Sequence, residues 1–114
     1  MDRSGLIERV GRIETACADA GSDSSSVAAA LVAVRELDGW LASRKAMLVG
    51  RLPEVSSFPE ATIADADRTS IGAAATSTER SDTLAATPKL AAALGDGAIT
   101  AGHVDAVTRT SKGL

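Results

Sequence analysis

Aromatic residues are almost missing from this chain of 114 residues, which has one Trp, one Phe and no Tyr. Aromatic side chains bury the most apolar surface in a protein core, so a free-standing compact core built from this sequence is poor. Leu, Ile, Val and Phe together make up only about a fifth of the residues, which is close to the level typical of disordered chains. We therefore expect a partner chain, or sequence beyond Leu114, to cover part of the apolar surface.

Cysteine and histidine each occur once, as Cys17 and His103, and asparagine is absent. A single thiol excludes an internal disulfide framework and a zinc site built from several cysteines. No apolar run approaches the roughly 20 residues that span a bilayer, and no signal peptide follows Met1. We therefore expect a cytoplasmic protein that binds no membrane and needs no cofactor.

A strong positive charge is missing as well, because the formal net charge is −3 at pH 7. A globally basic face for DNA or for an anionic membrane is therefore excluded. The longest predicted helix has a local excess of positive charge, carried by Arg35, Arg44, Lys45 and Arg51. This edge has two interpretations: ordinary solvated charges, which are common on helices, or a phosphate-contacting edge that binds DNA weakly and without sequence specificity.

What the sequence does contain is the spacing of amphipathic helices, with no β-alternation anywhere. Apolar or small residues recur every three or four positions over residues 6–20 and again over residues 25–52, where Pro53 ends the pattern. A short link between two such helices predicts a long antiparallel helical hairpin over residues 1–53. The fold class is therefore predicted to be all-α.

Residues 54–114 are predicted to form several short helices that continue the same domain. Pro88 suits the first position of a helix, and Thr100 is a suitable N-cap for the last one. Between them, Gly95-Asp96-Gly97 is predicted to be a turn, since it follows a helix and is too short for a phosphate-binding loop.

The long predicted helix carries a stripe of large aliphatic side chains formed by Leu31, Val34, Leu41, Leu48 and Leu52. A helix over residues 25–52 spans roughly 42 Å, whereas the first helix spans roughly 27 Å. About ten residues of the stripe therefore need a cover that the first helix cannot supply. We expect the second half to supply part of it through Ile63, Ile71 and Leu84, or a second chain to do so.

His103 is followed two positions later by Asp105, which raises the question of a catalytic pair. On a helix, side chains two positions apart point to nearly opposite faces, so these two cannot form a local dyad. We interpret His103 as a capping or packing residue in the first turn of the last helix. Cys17 falls on the apolar side of the first helix, where a thiol acts as a small hydrophobe.

Residues 83–107 resemble a known bacterial family. The features that match are Leu84 and Pro88, the Ala-Leu-x-x-Gly-x-Ile-Thr turn over residues 93–100, and the His-Val-Asp-Ala start of the next helix. They are similar to the domain of unknown function 222, also called the 13E12 repeat family. The residues that correspond to this pattern, with no role implied, are Pro88, Gly97, Thr100, His103 and Asp105.

The resemblance implies an all-helical region placed ahead of a C-terminal HNH endonuclease domain. Such a nuclease needs a general-base His, a second metal-binding His and usually an Asn between them. This sequence has one His and no Asn, so we expect a non-catalytic accessory region that looks truncated and lacks its nuclease partner. The alternatives are a helical oligomerisation module that binds its own copies and a degenerate gene fragment without activity.

Overall fold

Helices make up most of residues 1–112, the part of the chain that the computed structural model describes. The six helices are α1 (Arg3–Ala18), α2 (Ser24–Arg51), α3 (Pro59–Asp67), α4 (Ile71–Ala86), α5 (Pro88–Gly95) and α6 (Ala101–Lys112). A short 3-10 turn, Leu52–Glu54, follows α2. No strand occurs within the described residues, so the all-α prediction is confirmed. Gly113 and Leu114, the end of the predicted region 54–114, lie outside the described residues.

Aspartate side chains fix where the first two helices begin. The carboxylate of Asp2 accepts a hydrogen bond from the backbone N–H of Gly5 at 2.8 Å, and Asp23 accepts one from Ser26 at 2.8 Å. Each bond satisfies an amide that a helix leaves unpaired at its start. Donation by the Ser26 amide also holds the pKa of Asp23 below its usual value. The helix starts are therefore determined by neighbouring residues.

α2 is the longest helix, and α1, α4 and α5 pack on it. Its first half contacts α1, where Arg9 donates a hydrogen bond to Glu36 at 2.9 Å. Its second half contacts α4 and α5, and the buried hydroxyl of Ser81 donates to the carbonyl of Ala46 at 2.7 Å. Because the later helices replace α1 along the second half of α2, the predicted long antiparallel hairpin is not confirmed in detail.

The core is small and consists of two clusters, each of which contains residues of both α2 and α4. The first contains Ala46, Leu84, Leu94 and Val104. The second contains Val49, Ile63, Ala64 and Ala74. Leu94 and Val104 are the largest side chains that are fully buried among the described residues. The core is therefore built largely from alanine and from a few branched side chains, as the shortage of large residues requires.

Most of the aliphatic stripe of α2 lies outside this core, and only Leu52 packs against the second cluster. Leu31, Leu41 and Leu48 are 65%, 57% and 67% exposed. The residues of α2 that are buried are Ala30, Ala33, Gly39, Ala46 and Val49. Small side chains allow two helix backbones to approach closely, so the neighbouring helices pack on the alanine face and leave the leucines in solvent.

The residues expected to cover the stripe differ in position. Ile63 is buried in the second cluster, against which Leu52 of the stripe packs, whereas Leu84 is buried in the first cluster with Ala46. Ile71 is itself exposed at the start of α4. Cys17 is also exposed rather than packed, since α1 contributes no buried residue. Within residues 1–112, the predicted cover therefore reaches only the C-terminal end of the stripe at Leu52, and Leu31, Leu41 and Leu48 stay exposed.

α2 meets the turn between α5 and α6 at two glycines. A Cβ atom at Gly39 would lie 2.7 Å from the carbonyl oxygen of Leu94, and one at Gly97 would lie 2.5 Å from Cα of Glu36. Gly97 also has a φ of +77°, in the left-handed region that other residues adopt only at a cost. These two glycines allow the turn to rest directly on the backbone of α2.

We expect Gly39→Ala to lower the free energy of unfolding by roughly 1–3 kcal/mol, because the added methyl group meets backbone atoms of the turn. The matched control is Gly11→Ala in α1, where a Cβ would meet nothing within 4 Å. This control should raise the stability by about 0.4–1 kcal/mol, since Ala restricts the unfolded chain and favours the helix. Urea unfolding followed by circular dichroism measures both. Equal effects would show that the close approach at Gly39 is absent.

Candidate functional site

His103 lies in the first turn of α6 and closes its N-terminus. Its Nδ1 accepts a hydrogen bond from the backbone N–H of Thr100 at 3.0 Å, and the Thr100 hydroxyl lies 3.0 Å from the same nitrogen. A side chain that reaches back in this way satisfies an amide before the helix, as glutamate does in a capping box. The single histidine therefore has the capping position that its sequence context suggested.

Asp105 joins α6 to α4 through Arg80. Nε of Arg80 donates to Oδ1 of Asp105, and Nη2 donates to Oδ2, both at 2.8 Å. In this bidentate arrangement the charged hydrogen bonds are strong and their geometry is well defined. Both side chains are only about a quarter exposed. The bonds from Arg80 hold the pKa of Asp105 below its usual value and raise the pKa of Arg80. His103 and Asp105 thus have separate partners and form no dyad.

The remaining residues of the family-like pattern are explained by backbone geometry. Pro88 is the first residue of α5, a position whose backbone N–H has no partner within the helix. The lack of an N–H in proline therefore costs no hydrogen bond there. Gly97 is the positive-φ residue that lies against Glu36. Thr100 precedes α6 and contacts His103. Gly97, Thr100 and His103 therefore shape the corner between α5 and α6, and Pro88 starts α5 at its other end.

No group of three or more His, Cys, Asp and Glu side chains within residues 1–112 is arranged to hold a metal ion. In the same part of the chain, no helix is both long enough and apolar enough to cross a bilayer.

The basic residues of α2 do not gather on one face. At about 100° per residue, Arg35 lies on the side of the helix opposite Arg44, whereas Arg51 lies on the same side as Arg44, two turns further on. Lys45 is engaged by Asp67 of α3, with 2.5 Å between Nζ and Oδ2. Positive charge is therefore dispersed around the helix, and contact with phosphate stays a prediction.

The aliphatic side chains of α2 do share a face, and they continue a regular spacing. Steps of four and three residues connect eight positions, here named the α2 stripe: Val27, Leu31, Val34, Asp38, Leu41, Lys45, Leu48 and Leu52. An average step of 3.5 residues is the spacing of a coiled-coil seam. Six of the eight positions are aliphatic, and the other two are the charged residues Asp38 and Lys45. A pattern of apolar residues alone does not include these two, whereas the regular spacing of the stripe does.

An apolar groove of about 380 Å³ lies between α2 and α3, at the C-terminal end of the α2 stripe. Its apolar lining includes Leu48, Leu52, Val55, Ile63 and Ala66. Lys45 and Asp67 also border the groove, where they form the ion pair between the two helices. Because Leu48 and Leu52 belong to both features, the groove extends the apolar surface of the stripe.

Comparisons of the chain with models of protein families, with curated proteins and with solved structures find no match. Membership of the domain of unknown function 222 family therefore stays a prediction.

Replacing Asp105 tests the tie between α4 and α6. Asp105→Asn should lower the free energy of unfolding at about pH 7 by roughly 1–3 kcal/mol, because it weakens the bonds and leaves the half-buried Arg80 without its carboxylate. The folded pKa of Asp105 is depressed, so the carboxylate stabilises the fold above its unfolded pKa of about 3.9. This contribution is lost as the pH falls through the folded pKa. The difference between variant and wild type should therefore shrink below about pH 4.

The matched control is Glu8→Gln, which removes the exposed ion pair between Glu8 and Arg12 on α1. It should change the stability by less than about 0.5 kcal/mol at any pH in this range, since exposed pairs contribute little. Urea unfolding at about pH 7 and about pH 3 measures both variants. A loss for Asp105→Asn that does not depend on pH would contradict the assigned role of the carboxylate.

Proposed function

We propose that this chain is a non-catalytic helical interaction module that binds a second copy of itself through the α2 stripe. The observation that carries the proposal is the exposure of Leu31, Leu41 and Leu48, each more than half accessible on one face of a 28-residue helix. Isolated apolar side chains on a surface are ordinary, but a continuous apolar patch is typical of an interaction site.

The energetics of the chain support this assignment. Burying a Leu side chain completely contributes about 1.5–3 kcal/mol, so three leucines on one stripe are a substantial source of binding free energy. The internal core is small, with Leu94 and Val104 as its largest fully buried side chains. Association that covers the stripe would stabilise the folded state as well, because a partner that binds only the folded chain shifts the unfolding equilibrium.

The resemblance to the domain of unknown function 222 suggests where such a module acts. In this proposal it is a cytoplasmic accessory region that stands ahead of an HNH endonuclease domain and brings two copies together. No chemical step is assigned to His103 or Asp105, because the first contacts Thr100 and the second binds Arg80. Their contribution is to hold the helices behind α2.

DNA binding by this chain is expected to be weak and nonspecific. The net charge is −3, and the basic residues of α2 are dispersed around the helix. The dissociation constant for duplex DNA, measured by fluorescence anisotropy at physiological salt, should lie above about 1 µM, as for nonspecific complexes. Submicromolar binding that Arg44→Ala and Arg51→Ala weaken would show that these arginines form a phosphate-contacting edge after all.

The self-association itself is tested by placing a charge on the stripe. Leu41→Asp should convert the dimer to monomer in sedimentation equilibrium, since it replaces an aliphatic side chain in the middle of the stripe with a second carboxylate beside Asp38. The helical circular-dichroism signal should remain, because Leu41 is exposed in the isolated chain. The matched control is Val32→Asp, on the opposite side of α2 and 42% exposed, which should leave the dimer intact.

Two outcomes would contradict the proposed function. One is a wild-type chain that sediments as a monomer at concentrations up to about 100 µM, which corresponds to a binding free energy weaker than about −5.5 kcal/mol. The other is a dimer that Leu41→Asp and Val32→Asp affect equally, because such a dimer would not use the α2 stripe.

A further inference from the structure

Two charged residues lie within the α2 stripe, Asp38 and Lys45, one heptad apart. Asp38 is exposed and forms no ion pair with any residue that the structure describes. Lys45 reaches Asp67, yet 43% of its side chain remains exposed, and an ammonium group has three hydrogen atoms to donate. A partner helix that lies along the stripe therefore meets one negative and one positive charge.

These charges distinguish the two ways in which a second copy can bind. In a parallel pair, Asp38 lies opposite Asp38 of the second copy, and Lys45 lies opposite Lys45, so both contacts are repulsive. In an antiparallel pair the order of the charges is reversed on the partner, and each Asp38 lies near a Lys45. From this complementarity we propose that α2 pairs with α2 of a second copy in antiparallel orientation. This inference rests on the proposed function, since it assigns the geometry of that self-association.

One antiparallel register opposes all eight positions of the stripe. It pairs position 27 with 52, 31 with 48, 34 with 45, and 38 with 41. A two-fold axis then passes between Gly39 and Trp40, and every contact occurs twice, as in a symmetric dimer. Lys45 lies roughly 6 Å along the helix axis from Asp38 of the second copy, within reach of its long side chain. Asp38 then faces Leu41 of the second copy and Lys45 faces Val34, and the two Asp38 carboxylates lie roughly 4.5 Å apart along the axis. The dimer therefore has two attractive contacts between Asp38 and Lys45 against one repulsive contact between the two Asp38 residues, whereas the parallel pair has two repulsive contacts at the same level.

The same register uses the groove between α2 and α3. Leu31 of the second copy lies opposite Leu48, and Val27 lies opposite Leu52, at the two residues that line both the stripe and the groove. Leu31 is 65% exposed in the isolated chain, so its side chain is available to enter this apolar space. Leu31 of each copy therefore covers Leu48 and the groove of the other copy, and this contact occurs at both ends of the dimer.

Disulfide cross-linking measures the orientation directly. Cys17, which is free and exposed, is first replaced by Ser, and Leu31→Cys and Leu48→Cys are then made separately in that background. After mixing and mild oxidation, the two variants should form a mixed disulfide, identified by its linked tryptic peptides. Each variant alone should remain uncross-linked, because two copies of position 31 lie roughly 25 Å apart along the axis, whereas a disulfide requires Cα atoms within about 7 Å.

The possible results separate this inference from the proposed function. A disulfide formed by Leu31→Cys alone, with none between the two variants, would indicate a parallel pair and overturn the antiparallel orientation while leaving self-association in place. Equal cross-linking in all samples would overturn a fixed orientation. A wild-type chain that sediments as a monomer would instead overturn the proposed function itself.

Charge reversal provides a second test that needs no cross-link. Asp38→Lys should weaken dimerisation on the order of tenfold, because two attractive contacts become repulsive in the antiparallel pair. The control is Asp82→Lys on α4, which is exposed, lies off the stripe and changes the net charge by the same amount. An unchanged dissociation constant for Asp38→Lys, or one that equals the value for Asp82→Lys, would contradict the proposed contact between Asp38 and Lys45.

Discussion

The contact between the backbone of α2 and the turn after α5 is the constraint on which the rest of the structure depends. Gly39 and Gly97 leave no space for a side chain where the two backbones meet. With so few large apolar residues, the chain obtains its packing contacts by bringing helices close together through glycine and alanine. Once the turn rests on α2, the direction of α6 is determined, and Arg80 and Asp105 can join it to α4.

This mode of packing explains how α2 divides its residues. Its small side chains face the neighbouring helices, and Leu31, Leu41 and Leu48 face solvent. A conventional amphipathic helix does the reverse, with the largest apolar side chains in the core. A helix that packs internally through alanine retains its large side chains for a contact with another molecule. The internal fold and the proposed interface therefore use different faces of one helix without competing for the same residues.

The sequence predicted the helices well because their ends depend on local chemistry. Asp23 caps α2 through a bond to a residue three positions away, and Pro88 and Thr100 act at the positions where the sequence placed them. The buried face of α2 was predicted wrongly, since apolar spacing reveals a stripe but not whether its cover belongs to the same chain. The tie between Arg80 and Asp105 could not be predicted either, because its partners lie 25 residues apart.

The residues that carry the resemblance to the domain of unknown function 222 gain a physical explanation from this structure. A glycine at positive φ and a His that contacts the preceding Thr meet demands of the backbone at the α5–α6 corner, and a proline meets those of the helix start at the other end of α5. Residues fixed by such demands report a shape that must be kept, and they need not take part in chemistry. If that shape serves to hold α2 in place, then the residues at the corner support the proposed interface without belonging to it. They would influence self-association through the position of α2, on which the stripe lies.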